Sequence, residues 1–154
     1  MNLESSTKIG IVAGLKAAFS LCLLYGVIVG VFWLFQKQIG VSLTRNVLGD
    51  LGVGALFPSL GLSAYVIAKE SVSRFGTNKI YKKLPSSVWL SISIAIVFYA
   101  PFLLALISLD SILKHDFGAI WQNFGFASIF IVLTWLFSAL AVIKLFRGED
   151  EGVL

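Results

Sequence analysis

The chain has 154 residues, 58% of them hydrophobic and 13% charged, with a net charge of +4 and a mean hydropathy of +0.93. A soluble domain of this size is roughly a quarter charged and remains rich in wet surface, so this composition excludes one; the apolar excess belongs against lipid. The 12 Lys and Arg residues sit at the ends of apolar runs and not on one face among base-reading groups, which speaks for membrane topology and against nucleic acid.

A polar tail, Met1 to Lys8, is followed by IGIVAGL, then Lys16, then an unbroken apolar run from Ala17 to Phe35. As a helix that run spans about 28 Å, close to the hydrocarbon thickness of about 30 Å. Trp33 and Phe35 mark one end as interfacial aromatics. The run is too long for the apolar region of a signal peptide, and no small-x-small cleavage site follows it, so a retained transmembrane helix is expected over about 9–35. Lys16 falls at its boundary, where the stem lies along lipid and the ammonium snorkels to the headgroups. A functional intramembrane lysine is the alternative. Gly26 and Gly30 form a GxxxG pair, and Gly10 with Gly14 repeats the spacing. Such faces let helices approach closely, either within the chain or against another subunit. Cys22 is the only cysteine, so no intrachain disulfide, CxxC pair or zinc cluster is available.

Gln36 to Asn46 is a short connection carrying Lys37 and Arg45, and the second run covers about 47–68. Asn46 suits an N-cap, and Gly52, Ala55 and Ser59 share one small-residue face. Asp50 is the only acidic residue inside an apolar run. An ionisable residue within a membrane is a functional candidate by default. This one lies only about 5 Å from the outer end of its helix, where the dipole and a neighbouring Arg45 can hold it.

The longest polar interval is 69–87, KESVSRFGTNKIYKKLPSS, which carries five basic residues. It divides the four runs into two hairpins. Phe75, Ile80, Tyr81 and Leu84 alternate with its charges, so part of it can lie on the membrane surface as a short amphipathic helix. Arg74, Lys79, Lys82 and Lys83 are its candidate contacts for anionic lipid or a cytoplasmic partner.

The third run, about 88–109, opens on Trp89 and holds Pro101 beyond its middle. A polar turn, DSILKHDFG, leads to the fourth run at about 120–144, which Lys144 and Arg147 stop before the acidic tail 148–154. Pro58 in LFPSLGL and Pro101 in YAPFLLAL free the carbonyls of Gly54 and Val97. Such breaks either build transporter sites near the midplane or are plain kinks whose carbonyls neighbours satisfy.

No run alternates with period two, so the expected fold is all-α: a polytopic integral membrane protein with four transmembrane helices as two hairpins, not a barrel. Nine of the 12 basic residues fall on the side of the termini and 69–87. That places both termini in the cytoplasm, and the bacterial inner membrane is the expected compartment.

Chemistry-bearing motifs fail on context. GDLGVG follows no strand, DFG stands without the other kinase elements, and His115 is the sole histidine. No catalytic residue, metal site or cofactor is assigned. In size and layout the chain resembles small inner-membrane immunity proteins, entry-exclusion proteins and accessory subunits, a likeness of architecture. The expectation is a non-enzymatic protein that acts in the bilayer by binding another membrane protein or itself. The alternative is a small oligomeric channel or ion-coupled transporter, with Asp50, Pro58, Tyr65, Tyr99 and Pro101 near its pathway.

Overall fold

The computed structural model describes residues 3–75 and 86–151. In chain order these form α1 (Leu3–Ile39), α2 (Arg45–Phe75), α3 (Ser86–Ile107), α4 (Leu109–Leu113) and α5 (Phe117–Glu151). No strand occurs among the described residues. Four helices, α1, α2, α3 and α5, are long and apolar enough to cross a membrane.

The helices outrun the apolar segments because their polar flanks also favour helix. Glu4 and Lys8 pair one turn apart at 2.6 Å, which supports the first turns of α1. Gly40 closes α1 at φ 73°, and its N–H donates to the Gln36 carbonyl at 3.0 Å; a residue with no Cβ suits that left-handed position. Thr44, not Asn46, caps α2, its Oγ1 accepting the Val47 N–H at 3.4 Å. The Asp116 carboxylate does the same for α5 through the Ala119 N–H at 3.3 Å. Between α4 and α5 the chain turns through His115, a non-glycine residue at φ 58°. Because α2 continues to Phe75, Lys69 and Glu70 are helical residues and not part of a loop.

The helices α2 and α3 form the interior. Both α1 and α5 pack against this pair, and α1 does not touch α5. More of the α1 contact is with α3 than with its sequence neighbour α2. Ala13, Ala17, Ala55, Ile92, Ala95 and Tyr99 are wholly buried at the centre. Small side chains dominate there because lipid supplies no hydrophobic drive between helices, so close backbone approach must hold them. Ser71 and Ser91, both fully buried, share a hydrogen bond of 3.2 Å between α2 and α3. Near the same end, Trp135 Nε1 donates to Ser93 Oγ at 3.3 Å and joins α5 to α3.

Candidate functional site

Two GxxxG pairs lie on opposite sides of α1, and only one is filled. Successive residues turn by about 100°, so Gly10 and Gly14 project nearly opposite Gly26 and Gly30. The first pair belongs to a buried stripe of Ser6, Gly10, Ala13, Gly14, Ala17, Ala18 and Leu21. A Cβ on Gly10 would stand 2.7 Å from both the Ile94 Cβ and the Ser91 carbonyl oxygen. One on Gly14 would meet the Ala95 carbonyl and come to 2.9 Å from the Phe98 Cβ. Those glycines are therefore the seat of α1 on α3.

Gly26 and Gly30 have nothing within 4 Å of where a Cβ would stand. Val12, Phe19, Leu23, Gly26, Gly30 and Leu34 project within one sector of about 80°. Along it Phe19 is 70% exposed, Leu23 59% and Leu34 65%. Only 11% of the most apolar stretch of α1 is buried, against 44% in α2 and in α3. The stripe is a continuous apolar face that no helix among the described residues covers.

One charge interrupts that face. Lys16 Nζ donates to Glu70 Oε2 on α2 at 2.6 Å, with side chains 53% and 14% exposed. Gly14 rests on Ala95 and Phe98, which flank the midpoint of α3 (Ser86–Ile107). Lys16, two residues further, is thus level with the middle of α3. Ser71 bonds Ser91, five residues into α3, so the neighbouring Glu70 lies about 8 Å inside the end of that helix. Because Glu70 lies nearer that end than the Lys16 backbone does, the Lys16 side chain reaches both across to α2 and toward the end of the bundle, the direction in which a snorkelling lysine points. Around it Val12, Leu15, Phe19, Ser20 and Val66 line a groove of about 510 Å³.

Asp50 lies elsewhere. It lines a polar cavity of about 490 Å³ at the opposite end of the bundle, with Asn46, Asp110, Lys114 and Asn123. Arg45 does not pair with it there, since its Nη1 donates to the Leu113 carbonyl at 3.4 Å. Asp110 Oδ2 accepts from Lys114 Nζ at 2.8 Å, and Oδ1 is buried without a hydrogen-bond partner. Gly49 lets α2 come close here, because a Cβ would stand 2.6 Å from the Asp110 Cβ. Among the described residues, no group of three or more His, Cys, Asp or Glu side chains converges to hold a metal ion.

Pro58 and Pro101 both sit on exposed helix faces, and their helices run on through them. Tyr65 is exposed, with Lys69 Nζ 5.9 Å from its ring centroid. Tyr99 is wholly buried, its hydroxyl beside those of Ser63 and Ser59 without reaching hydrogen-bond geometry with either. Asp50, the two prolines and the two tyrosines therefore do not converge on one lined passage. The backbone of Arg74 belongs to the last turns of α2, while Lys79, Lys82 and Lys83 lie outside the described residues.

The sequence offered little sign of Glu70, Asp110 or Asn123. Glu70 reads as part of a polar interval, and Asp110 with Lys114 shows only the spacing of a local helix pair.

The class these observations define is an all-helical membrane protein with four candidate spans. No family model, curated protein or solved structure matches the chain.

Proposed function

We propose that this chain is a non-catalytic membrane protein that acts by binding another membrane protein, as an accessory subunit or an immunity- or exclusion-type protein does. The observation that carries this reading is the uncovered face of α1, where Gly26 and Gly30 stand open among exposed Phe19, Leu23 and Leu34. An apolar face alone is met by lipid. A face with a backbone-deep notch is shaped for a helix. We further propose two transmembrane hairpins in a bacterial inner membrane, with both termini and 69–87 in the cytoplasm. The basis is the nine-of-12 distribution of Lys and Arg.

Affinity purification in mild detergent from the native host, at native expression, tests the binding role. A specific membrane partner should co-purify and be lost on Gly26→Leu/Gly30→Leu with the fold intact. Recovery of the chain alone would overturn the reading.

The second reading, a small oligomeric channel or ion-coupled transporter, draws on the polar cavity around Asp50 and Asp110. It requires conductance or ion-coupled flux in liposomes that Asp50→Asn alters; unchanged flux in that variant removes Asp50 from it.

A further inference from the structure

The two helix prolines stand at one level of the bundle. Gly52 of α2 packs against Leu106 of α3, and Ser71 meets Ser91, so the two helices run antiparallel. Pro58 is six residues on from Gly52 and Pro101 five back from Leu106, which sets them level to within about one turn. Both point away from the α2–α3 contact. At about 100° per residue, Pro58 is turned about 140° from Ser63, and Pro101 about 160° from Tyr99. Each ring removes a backbone hydrogen bond and presses on the carbonyl four residues back, which opens the outer side of its helix. Bending at both sites draws residues 45–57 of α2 toward the end of α3, and straightening spreads them.

The helices are fastened differently on the two sides of this level. On one side α1 is seated on α3 through Gly10 and Gly14, Ser71 bonds Ser91, and Trp135 bonds Ser93. On the other, no residue of α1 beyond Leu21 is buried. There α2 meets the end of α3 and α4 through Gly52, Gly49 and the hydrogen bond from Arg45 to the Leu113 carbonyl. The polar cavity of about 490 Å³ opens between these ends, with Asn46 and Asp50 on one and Asp110 and Lys114 on the other.

Buried hydroxyls gather at the prolines. Ser59, Ser63 and Tyr99 are wholly buried. Ser59 Oγ donates to the Leu56 carbonyl at 2.7 Å. The Tyr99 hydroxyl and Ser63 Oγ are neighbours shut off from solvent, yet among the described residues neither has a hydrogen-bond partner. Buried hydroxyls left unmatched cost free energy. A small turn of α3 at Pro101, two residues beyond Tyr99, is enough to join them.

We propose that Pro58 and Pro101 form a paired hinge, and that the ends of α2 and α3 beyond it are two jaws that spread to open the polar cavity of Asp50 and Asp110. The described structure has the jaws closed. In the open arrangement the Tyr99 hydroxyl donates to Ser63 Oγ, and this bond offsets the loss of the Gly49 and Gly52 contacts. The hinge holds whether the chain binds a partner or passes an ion.

The test uses the whole chain in liposomes, with Cys22→Ala and spin labels at Val47→Cys and Ile112→Cys, one on each jaw. Pulsed dipolar distance measurement on frozen samples should give two separations. Pro58→Ala/Pro101→Ala restores both backbone hydrogen bonds and should leave one, with helical content unchanged. Tyr99→Phe removes the hydrogen bond of the open form and should raise the closed-to-open ratio about threefold, the usual worth of an interhelical bond. Labels at Leu15→Cys and Leu140→Cys, exposed positions in the clamped half, should give one unchanged separation in every variant.

A single jaw separation in the native chain overturns the inference, as do two whose proportions survive the double alanine. An unchanged ratio in Tyr99→Phe overturns the hydroxyl pairing and with it the hinge as drawn. If the Leu15 and Leu140 labels split as the jaws do, the bundle loosens as a whole and the hinge is overturned.

Discussion

Gly14 of α1 rests directly on the backbone of Ala95 in α3, and the Phe98 side chain completes the seat. A methyl group at Gly14 would press on a main-chain carbonyl, which cannot swing aside as a side-chain tip can. Gly14→Ala should therefore cost about 1–3 kcal/mol, the usual range for overpacking. Gly26→Ala meets open space and should be neutral or stabilising by up to about 1 kcal/mol through helix propensity. Melting both variants in detergent checks the pair; equal effects would mean that α1 does not sit on α3 by this face.

The Ser71–Ser91 hydrogen bond should behave as a coupled unit. Either single alanine strands a fully buried hydroxyl and should cost about 0.5–1.5 kcal/mol. The double alanine should cost less than the two singles added. A double-mutant cycle by reversible unfolding measures this, and strict additivity would dissolve the coupling.

How far this was readable from residues alone differs from place to place. The four spans were plain, because an apolar run of about 20 residues has few other uses. Which glycine pair is filled was not, since Gly10 with Gly14 and Gly26 with Gly30 share one spacing. Only the position of α3 distinguishes them. The Lys16–Glu70 pair joins residues 54 apart in sequence and depends on how α1 and α2 lie together, which no local pattern encodes. Glu70 was further hidden because polar residues mark where lipid ends, not where a helix does, and α2 continues to Phe75.

At the far end of the bundle, Gly49→Ala should displace α4, because its Cβ would stand 2.6 Å from the Asp110 Cβ. The expected loss is about 1–3 kcal/mol. Gly54→Ala, on the same helix with nothing within 4 Å, is the matched control and should not destabilise. A thiol probe at Ser111→Cys, with Cys22 replaced, should gain accessibility only in the first variant. Unchanged labelling would show that the cavity tolerates the extra atom.

For Lys16 and Glu70 the informative variant is the exchange. Lys16→Glu alone sets two carboxylates together and should lower stability by about 1 kcal/mol or more, moderated by the exposure of Lys16. Adding Glu70→Lys should recover part of that loss. Effects of Lys16→Glu and Glu70→Lys that simply add in a double-mutant cycle would mean that the two side chains do not interact in the membrane.

Orientation has a direct readout. A reporter fused after Leu154 should be active only as a cytoplasmic fusion, and one inserted between Gly40 and Thr44 only on the far side. The reverse pattern would overturn the charge argument.

That α1 leans chiefly on α3, and never on α5, sets the order in which the molecule can be completed. The ribosome releases α1 first and its main seat only after α2 and the following segment have been made. Helices can enter the bilayer singly and associate later, so the Gly10–Gly14 face waits in lipid until Ser86–Ile107 arrives. During that interval any passing helix with a small-residue face is a rival. Translation that stalls near Phe75 would leave α1 inserted, but with its tightest contact unmade.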